Sequence, residues 1–347
     1  MSVELPLGIG IIGCGKIAAA HALGYLARPD LAKVVICSDD WSEAAAREMA
    51  ATVGGADVTN HWQEVLARPD VDVISLCMPH YLHKEIAVAA AKAGKHILVE
   101  KPMAMNVAEA KEMVEAAEQA GVVLMTGQNQ RFMADHLKVK ELLDRDIIGK
   151  VVAVRFDCNQ FLRHMYAEGS WIFSKAKSGG GMVISTAVHK IDLLRYLFGE
   201  VKRTSALTGH TGLNYKMDNE DIAAILLEFE NGIIGEGFYL FAAHKVPIPT
   251  TTHELTIIYG EKGIIHNVMG WHVYSTDVPE YSGGQTLLEW HPQPYFDSVI
   301  AEVAHFLECI RDGKEPLTSG RDNLGTMAVI DAIYRSAEQG SVEDVVW

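Results

Sequence analysis

Cysteines are few and scattered: five, at positions 14, 37, 77, 158 and 309. The number is odd, no two are close and none has zinc-ligand spacing, which excludes a disulfide framework and fits a reducing cytoplasm. Long apolar runs are missing too, so no membrane span is expected. The opening MSVELPLGIG has no basic n-region and no cleavage site, and a cytoplasmic location is the expectation. Positive charge is in deficit: 30 Lys and Arg against 45 Asp and Glu leave a net charge of -15. Nucleic acid needs a basic footprint, and such a surface repels it. A neutral ligand is untouched by that exclusion.

What is present is an ordinary globular composition, 49% hydrophobic and 22% charged. A chain of 347 residues is too long for one core and predicts two domains. The first third alternates short apolar strands with helical stretches. Leu7–Ile12 reads as a strand, Lys16–Ala27 as a helix and Lys33–Cys37 as a second strand; this rhythm continues to about residue 128. It indicates a doubly wound α/β domain on a parallel sheet, over residues 1–128. Beyond it, strands are predicted at 150–158, 201–209, 222–229, 233–241, 253–259 and 263–268, with a hairpin turn at Asn231-Gly232. Strong helices are expected at 182–197, 296–312 and 322–338. Residues 129–347 therefore read as an α+β domain on an open, mostly antiparallel sheet.

Gly13-Cys14-Gly15-Lys16-Ile17-Ala18 follows the first strand and opens the first helix. The first glycine makes the tight turn, the second admits a pyrophosphate to the backbone, and the third position accepts a small residue where helix packs on strand. Lys16 and Ile17 begin the helix whose free N–H groups and dipole attract phosphate. Asp39 ends the second strand, where a carboxylate can accept both ribose hydroxyls and repel a 2′-phosphate. The pattern predicts NAD as cofactor, in preference to NADP.

Further pieces make the sequence similar to the family of glucose–fructose oxidoreductases, inositol dehydrogenases and MocA proteins (Gfo/Idh/MocA). They are Val73-Ile74-Ser75-Leu76-Cys77-Met78-Pro79 with His83, then Glu100-Lys101-Pro102 and Arg131-Phe132. Farther on come Gly179-Gly180-Gly181, His189-Lys190-Ile191-Asp192, and Gly313-Lys314-Glu315-Pro316 near the end. The resemblance spans essentially the whole chain. It implies a Rossmann domain followed by an α+β domain with an open sheet, and an NAD(P)-dependent oxidoreductase of sugars, cyclitols or related diols. It also implies a homodimer or homotetramer built on the second domain's sheet. In the cofactor site it places Met78, Pro79, His83 and Glu100. His80 and His83 have metal-like spacing, but no third ligand clusters with them and no metal is expected.

Lys101 sits just past a strand, at the carboxyl edge of the sheet where ligands bind in such folds. Its ammonium can hydrogen-bond a reacting oxygen and stabilise alkoxide character; the bland alternative is a loop lysine on the surface. Pro102 fixes the backbone beside it and is a candidate for a cis bond. His189 matches the family's catalytic histidine and can take a hydroxyl proton. On a continuous helix Ser185, His189 and Asp192 share a face at spacings of four and three. Such a polar stripe is otherwise a hydrogen-bonded core feature. Ser185 stands where the family commonly has Asp, and serine brings no charge to support an imidazolium. Either the substrate class differs and Lys101 handles the proton alone, or catalysis is weak. Asn129, Arg131, Arg163, Trp171 and Asp192, with His164 and Tyr166, are candidates to line a sugar site, against the equal alternative of ordinary structural residues.

The leading expectation is an NAD-dependent dehydrogenase acting on a secondary alcohol of a sugar or cyclitol. The alternatives are a redox-assisted glycosidase or lyase that releases no net NADH, and a non-catalytic NAD-binding sensor or regulator.

Overall fold

The computed structural model describes residues 4–160, 163, 165–241, 254–286 and 294–347. The chain divides into two compact units, one of Met1–Phe132 with Tyr295–Leu324 and one of Met133–Pro294 with Gly325–Trp347.

The first unit is built on six strands: β1 (Leu7–Ile12), β2 (Ala32–Ser38), β3 (Asp57–Thr59), β4 (Val73–Leu76), β5 (His96–Glu100) and β6 (Leu124–Gly127). They pair in parallel throughout, in the order β3-β2-β1-β4-β5-β6. Every residue of β1 and β4 is buried, as expected of strands covered on both faces. The crossovers use α1 (Lys16–Leu26), α2 (Glu43–Thr52), α3 (Trp62–Ala67), α4 (His80–Lys92) and α5 (Val107–Ala120). Strand order reverses between β1 and β4, and the crevice beyond their carboxyl ends is where a doubly wound sheet binds its ligand.

The sequence boundary at 128 does not capture the return of the chain. Val299, Val303, Phe306, Leu307 and Ile310, all within 294–312, join the same core as Ile9, Ile11, Ala22 and Tyr25. A Cβ on Gly24 of α1 would stand 2.6 Å from Val303 Cβ, so the missing side chain is what lets these helices approach. Amphipathic periodicity announces a helix at 296–312 but not the sheet it packs on.

In the second unit, α6 (Ala134–Asp144) and β7 (Val151–Asn159) are followed by the single turn α7 (Lys175–Ser178) and α8 (Val188–Phe198). Then come β8 (Val201–Gly209), β9 (Ile222–Phe229), β10 (Ile234–Leu240), β11 (Glu254–Gly260), β12 (Gly263–His266), β13 (His272–Ser275) and β14 (Gln285–Thr286). The chain passes through α9 (Pro294–Asp312), which belongs to the first unit, and α10 (Gly320–Gln339) before it reaches β15 (Glu343–Asp344). The nine strands run β14-β13-β12-β11-β7-β10-β9-β8-β15. Among the described residues only β7 and β10 pair in parallel, and the other pairs of this sheet are antiparallel. The predicted turn at Asn231-Gly232 joins β9 to β10, with Gly232 at φ 86. Strands β13, β14 and β15 are too short to have been read from the sequence.

Burial in β9 and β10 alternates residue by residue. One face lies under helices: Phe198 of α8 meets Phe229 edge-on, and Ser336 of α10 accepts the Ala206 N–H. The other face exposes Leu226, Ile234 and Phe238. The helix expected over 182–197 is not uniform. Residues Val183–Ala187 form a π-helical turn, and regular α-helix begins only at Val188.

Candidate functional site

The glycine turn shows two different demands for glycine. Gly13 has φ +88, and a Cβ there would lie 2.5 Å from the Cys77 carbonyl oxygen. The protein's own packing therefore requires it. Gly15 caps α1 at φ -78, and a Cβ there would meet nothing within 4 Å. Nothing inside the chain asks for glycine at 15, but a dinucleotide pyrophosphate lying against that backbone would. Gly15 and Lys16 are exposed, and no side chain caps α1, which leaves its N-terminus to an anionic ligand.

Asp39 is held beside the turn by three amides. One carboxylate oxygen accepts the Cys14 N–H at 3.0 Å, and the other accepts those of Trp41 and Ser42 at 3.1 and 2.9 Å. Of the four lone-pair sites that the carboxylate offers, these amides take three, which leaves one, on the oxygen that accepts the Cys14 N–H, for a ribose hydroxyl. These features fit an adenine dinucleotide.

Lys101 follows β5 as expected, and its bond to Pro102 is cis. Several cofactor-site expectations need correction around it. Glu100 turns inward: Oε1 is 3.0 Å from His21 Nε2, and Oε2 accepts the Lys101 main-chain N–H at 3.1 Å. Both carboxylate oxygens are thus engaged within the first unit, where they brace the loop. His83 is wholly buried, with Nε2 2.7 Å from the Met78 carbonyl oxygen and Nδ1 2.9 Å from that of Pro102. The two ring nitrogens face main-chain carbonyls of the loops after β4 and β5, and a neutral ring donates to one of them. Met78 and Pro79 are buried at the β1–β4 crevice.

The two wholly buried histidines, His21 and His83, shift in opposite directions. Burial lowers the pKa of His83 despite its carbonyl partners. Burial also works against charge on His21, but Cys77 and Glu100 overcome it and raise His21 well above its ordinary value. Glu100 is correspondingly lowered: burial opposes its charge, and the hydrogen bond from His21 outweighs it. His21 was not singled out from the sequence. The available signal was a lone imidazole among alanines on the face of α1 that enters the core.

Asn129 and Arg131 also have structural duties within the first unit. Asn129 Nδ2 donates to Ser298 Oγ at 2.8 Å. The buried guanidinium of Arg131 donates to the Leu317 carbonyl at 3.0 Å and to Asp322 at 2.7 Å. Neither is presented as a sugar ligand.

In the second unit the glycine run enters the π-helical turn. Glu220 accepts the N–H groups of Gly181 and Val183, at 2.8 and 3.1 Å, and the Tyr334 hydroxyl at 2.8 Å. Gly181 is needed for that approach, because a Cβ there would overlap the Glu220 carbonyl. The π turn offsets the phase on which the expected Ser185–His189–Asp192 face rested. Ser185 Oγ donates to the Gly181 carbonyl at 2.7 Å, so its single proton is already spent locally. Asp192 is fully buried and accepts the Thr326 hydroxyl at 2.9 Å, which makes it a core group and not a substrate ligand.

His189 is half-buried in the first turn of α8. Beside it Lys190 runs into the core, with Nζ 2.8 Å from Glu254 and 3.3 Å from Thr256 Oγ1, and anchors α8 on β11. Neither Glu220 nor Lys190 had been read as important, since each works through a partner distant in sequence. Arg163 stacks over Tyr215 at 5.0 Å from the ring centroid, within a group that includes Phe173 and Tyr166. Trp171 is half-exposed in the neighbouring turn, and His164 lies outside the described residues.

Among the described residues no group of three or more His, Cys, Asp or Glu could hold a metal ion, and no helix is long and apolar enough to cross a membrane. A cleft of about 300 Å³ in the first unit, lined by Val114, Glu118, Lys314 and Arg321 among others, contains none of the site residues.

Comparison with known proteins agrees with this geometry. The chain is 27% identical to a levoglucosan dehydrogenase of Pseudarthrobacter phenanthrenivorans, over 98% of each. It is 28% identical to a myo-inositol 2-dehydrogenase of Thermotoga maritima, over 95% of this chain and 96% of the relative. A levoglucosan dehydrogenase solved in complex with NADH and levoglucosan superposes with a TM-score of 0.89 at 27% identity, covering 98% of this chain and all of that one. Residues 7–128 match the NAD-binding Rossmann-fold domain of the Gfo/Idh/MocA oxidoreductases, and residues 140–345 match their C-terminal alpha/beta domain. The chain belongs to that family, and it is an NAD-dependent oxidoreductase.

Proposed function

We propose that the protein oxidises a secondary alcohol of a sugar, a cyclitol or a related diol, with NAD as the acceptor. The observation that carries this reading is Lys101 at the carboxyl edge of the same parallel sheet whose first strand ends in the glycine turn. Relatives named for levoglucosan and myo-inositol support the substrate class. When bound, NAD accepts the hydride that leaves the carbinol carbon. Gly13, Gly15 and the start of α1 hold the pyrophosphate, and Asp39 takes a ribose hydroxyl and disfavours a 2′-phosphate. The Lys101 ammonium hydrogen-bonds the carbinol oxygen and stabilises its developing negative charge. His189 takes the hydroxyl proton. Arg163 and Trp171 are assigned to the sugar, where an aromatic face suits the apolar side of a ring. The exposed apolar residues Leu226, Ile234 and Phe238 are assigned to contact with a second copy; light scattering that returns only monomer removes that part.

The test is a panel of sugars, cyclitols and cis-diols with NAD or NADP, followed by the absorbance of the reduced cofactor. NAD-linked turnover of a polyol is the expected outcome, and a lower KM for NADP than for NAD overturns the cofactor assignment.

A further inference from the structure

Trp41 lies in the turn between β2 and α2, two residues after Asp39, and is 59% exposed. Among the described residues of the first unit it is the most exposed large apolar side chain. Its main chain, by contrast, is fixed. The N–H donates to Asp39 Oδ1 at 3.1 Å, beside that of Ser42 at 2.9 Å. Ser42 then caps α2, its Oγ accepting the Ala45 N–H at 3.2 Å. Any residue but proline supplies the amide at 41, so the turn makes no demand on the side chain. The position before an N-cap often holds an apolar residue that packs on the first helical turn. A staple of that kind buries its residue, and Trp41 stays more than half exposed.

We propose that Trp41 is the platform for the adenine of NAD, stacking on the base while Asp39 takes the ribose that carries it. In an adenosine the carbon that bears the base is bonded to the carbon that bears the 2′-hydroxyl. A carboxylate that holds the ribose therefore has the base close by. One Asp39 oxygen keeps a lone pair for the ribose, and the other anchors the main chain of Trp41. A single side chain thus sets both the sugar contact and the residue beside it. Adenine presents a flat π-face, and an indole is a broad aromatic surface for it to lie on. Stacking needs no positive charge, which suits a turn whose other side chains include Asp40 and Glu43. The inference rests on the ribose role given to Asp39 above.

The test uses ADP-ribose, which carries the adenosine and pyrophosphate of NAD without the nicotinamide and so reads this end of the site with no turnover. Trp41→Ala is expected to raise its Kd about tenfold by calorimetry, the scale of one base stacked on one aromatic ring. The Kd for NAD should rise by the same factor, while the melting temperature without ligand stays that of the wild type. Trp41→Phe keeps a flat ring and is expected to recover most of the affinity. Trp41→Leu, apolar but without a π-face, is not. ADP-ribose should also quench the indole emission that the wild type has and Trp41→Phe lacks. An unchanged Kd in Trp41→Ala overturns the proposal, as does Trp41→Leu binding as well as Trp41→Phe, or Trp41 emission that ADP-ribose leaves alone. Wild-type preference for ADP-ribose over its 2′-phosphate tests Asp39 by itself. Equal affinity for the two removes Asp39 from the ribose, and the Trp41 variants still decide the platform. Silence of the polyol panel sinks the proposed reaction and leaves the platform standing.

Discussion

Lys101 leaves the end of a parallel strand, whereas His189 rides on a helix that starts with a π-helical turn. The strand end is a determined place: once β1 and β4 flank the point where strand order reverses, whatever follows the neighbouring β5 emerges at the same edge of the sheet. Its support is assembled from residues buried in that sheet and in α1. The position of His189 depends instead on helical phase, and phase is set by Glu220 and Tyr334, which lie beyond the helix in sequence. Strand topology therefore fixes one group almost without reference to its partners, and tertiary hydrogen bonds fix the other.

The largest expected effect falls on the strand-end side. Lys101→Ala should lower kcat by at least about a hundredfold, the scale of losing a group that stabilises developing charge. Calorimetry should find the NAD affinity little changed. A kcat near that of wild type would remove Lys101 from the chemistry and leave the comparison without its first term.

Next in size is the contrast within the glycine turn. Gly13→Ala forces a left-handed backbone and an overlap with the Cys77 carbonyl, at a cost of at least about 1–3 kcal/mol. Gly15→Ala meets open space and a φ that any residue adopts, so thermal stability should hold while NAD binding weakens severalfold. Melting curves with and without NAD separate the two; equal destabilisation by both would show that Gly15 is there for packing.

The smallest effect on turnover tests the helix side. Glu220→Gln keeps the shape of the cap but loses its charge-assisted hydrogen bonds to Gly181 and Val183, worth about 1.5–3 kcal/mol. Turnover should fall with stability, because the π turn that precedes His189 is no longer held. Full activity in a destabilised variant would mean that His189 keeps its place without Glu220.

The first unit was legible because its signals are local. The turn, the strand runs and Asp39 all lie within residues 7–39, and each reports a backbone need that neighbours in sequence can satisfy. The Glu100-Lys101-Pro102 loop was legible by resemblance, but the inward turn of Glu100 was not, since its partner His21 is 79 residues away. Asn129, Arg131 and Asp192 were candidates for a sugar site against the equal alternative of structural residues; each hydrogen-bonds a polar group of its own unit. The face shared by Ser185, His189 and Asp192 followed from a uniform period of 3.6, and a π turn is invisible to any such count. The return of residues 295–324 to the first core was hidden for the same reason: a helix's apolar stripe says that it packs, not where.

Asp39 carries one more consequence, for anyone who would change the cofactor. Replacing it to welcome a 2′-phosphate also removes the acceptor of the Cys14, Trp41 and Ser42 amides. Selectivity and turn geometry are thus written in a single side chain. A variant designed to use NADP would need a new acceptor for those three amides before it needed a new cation.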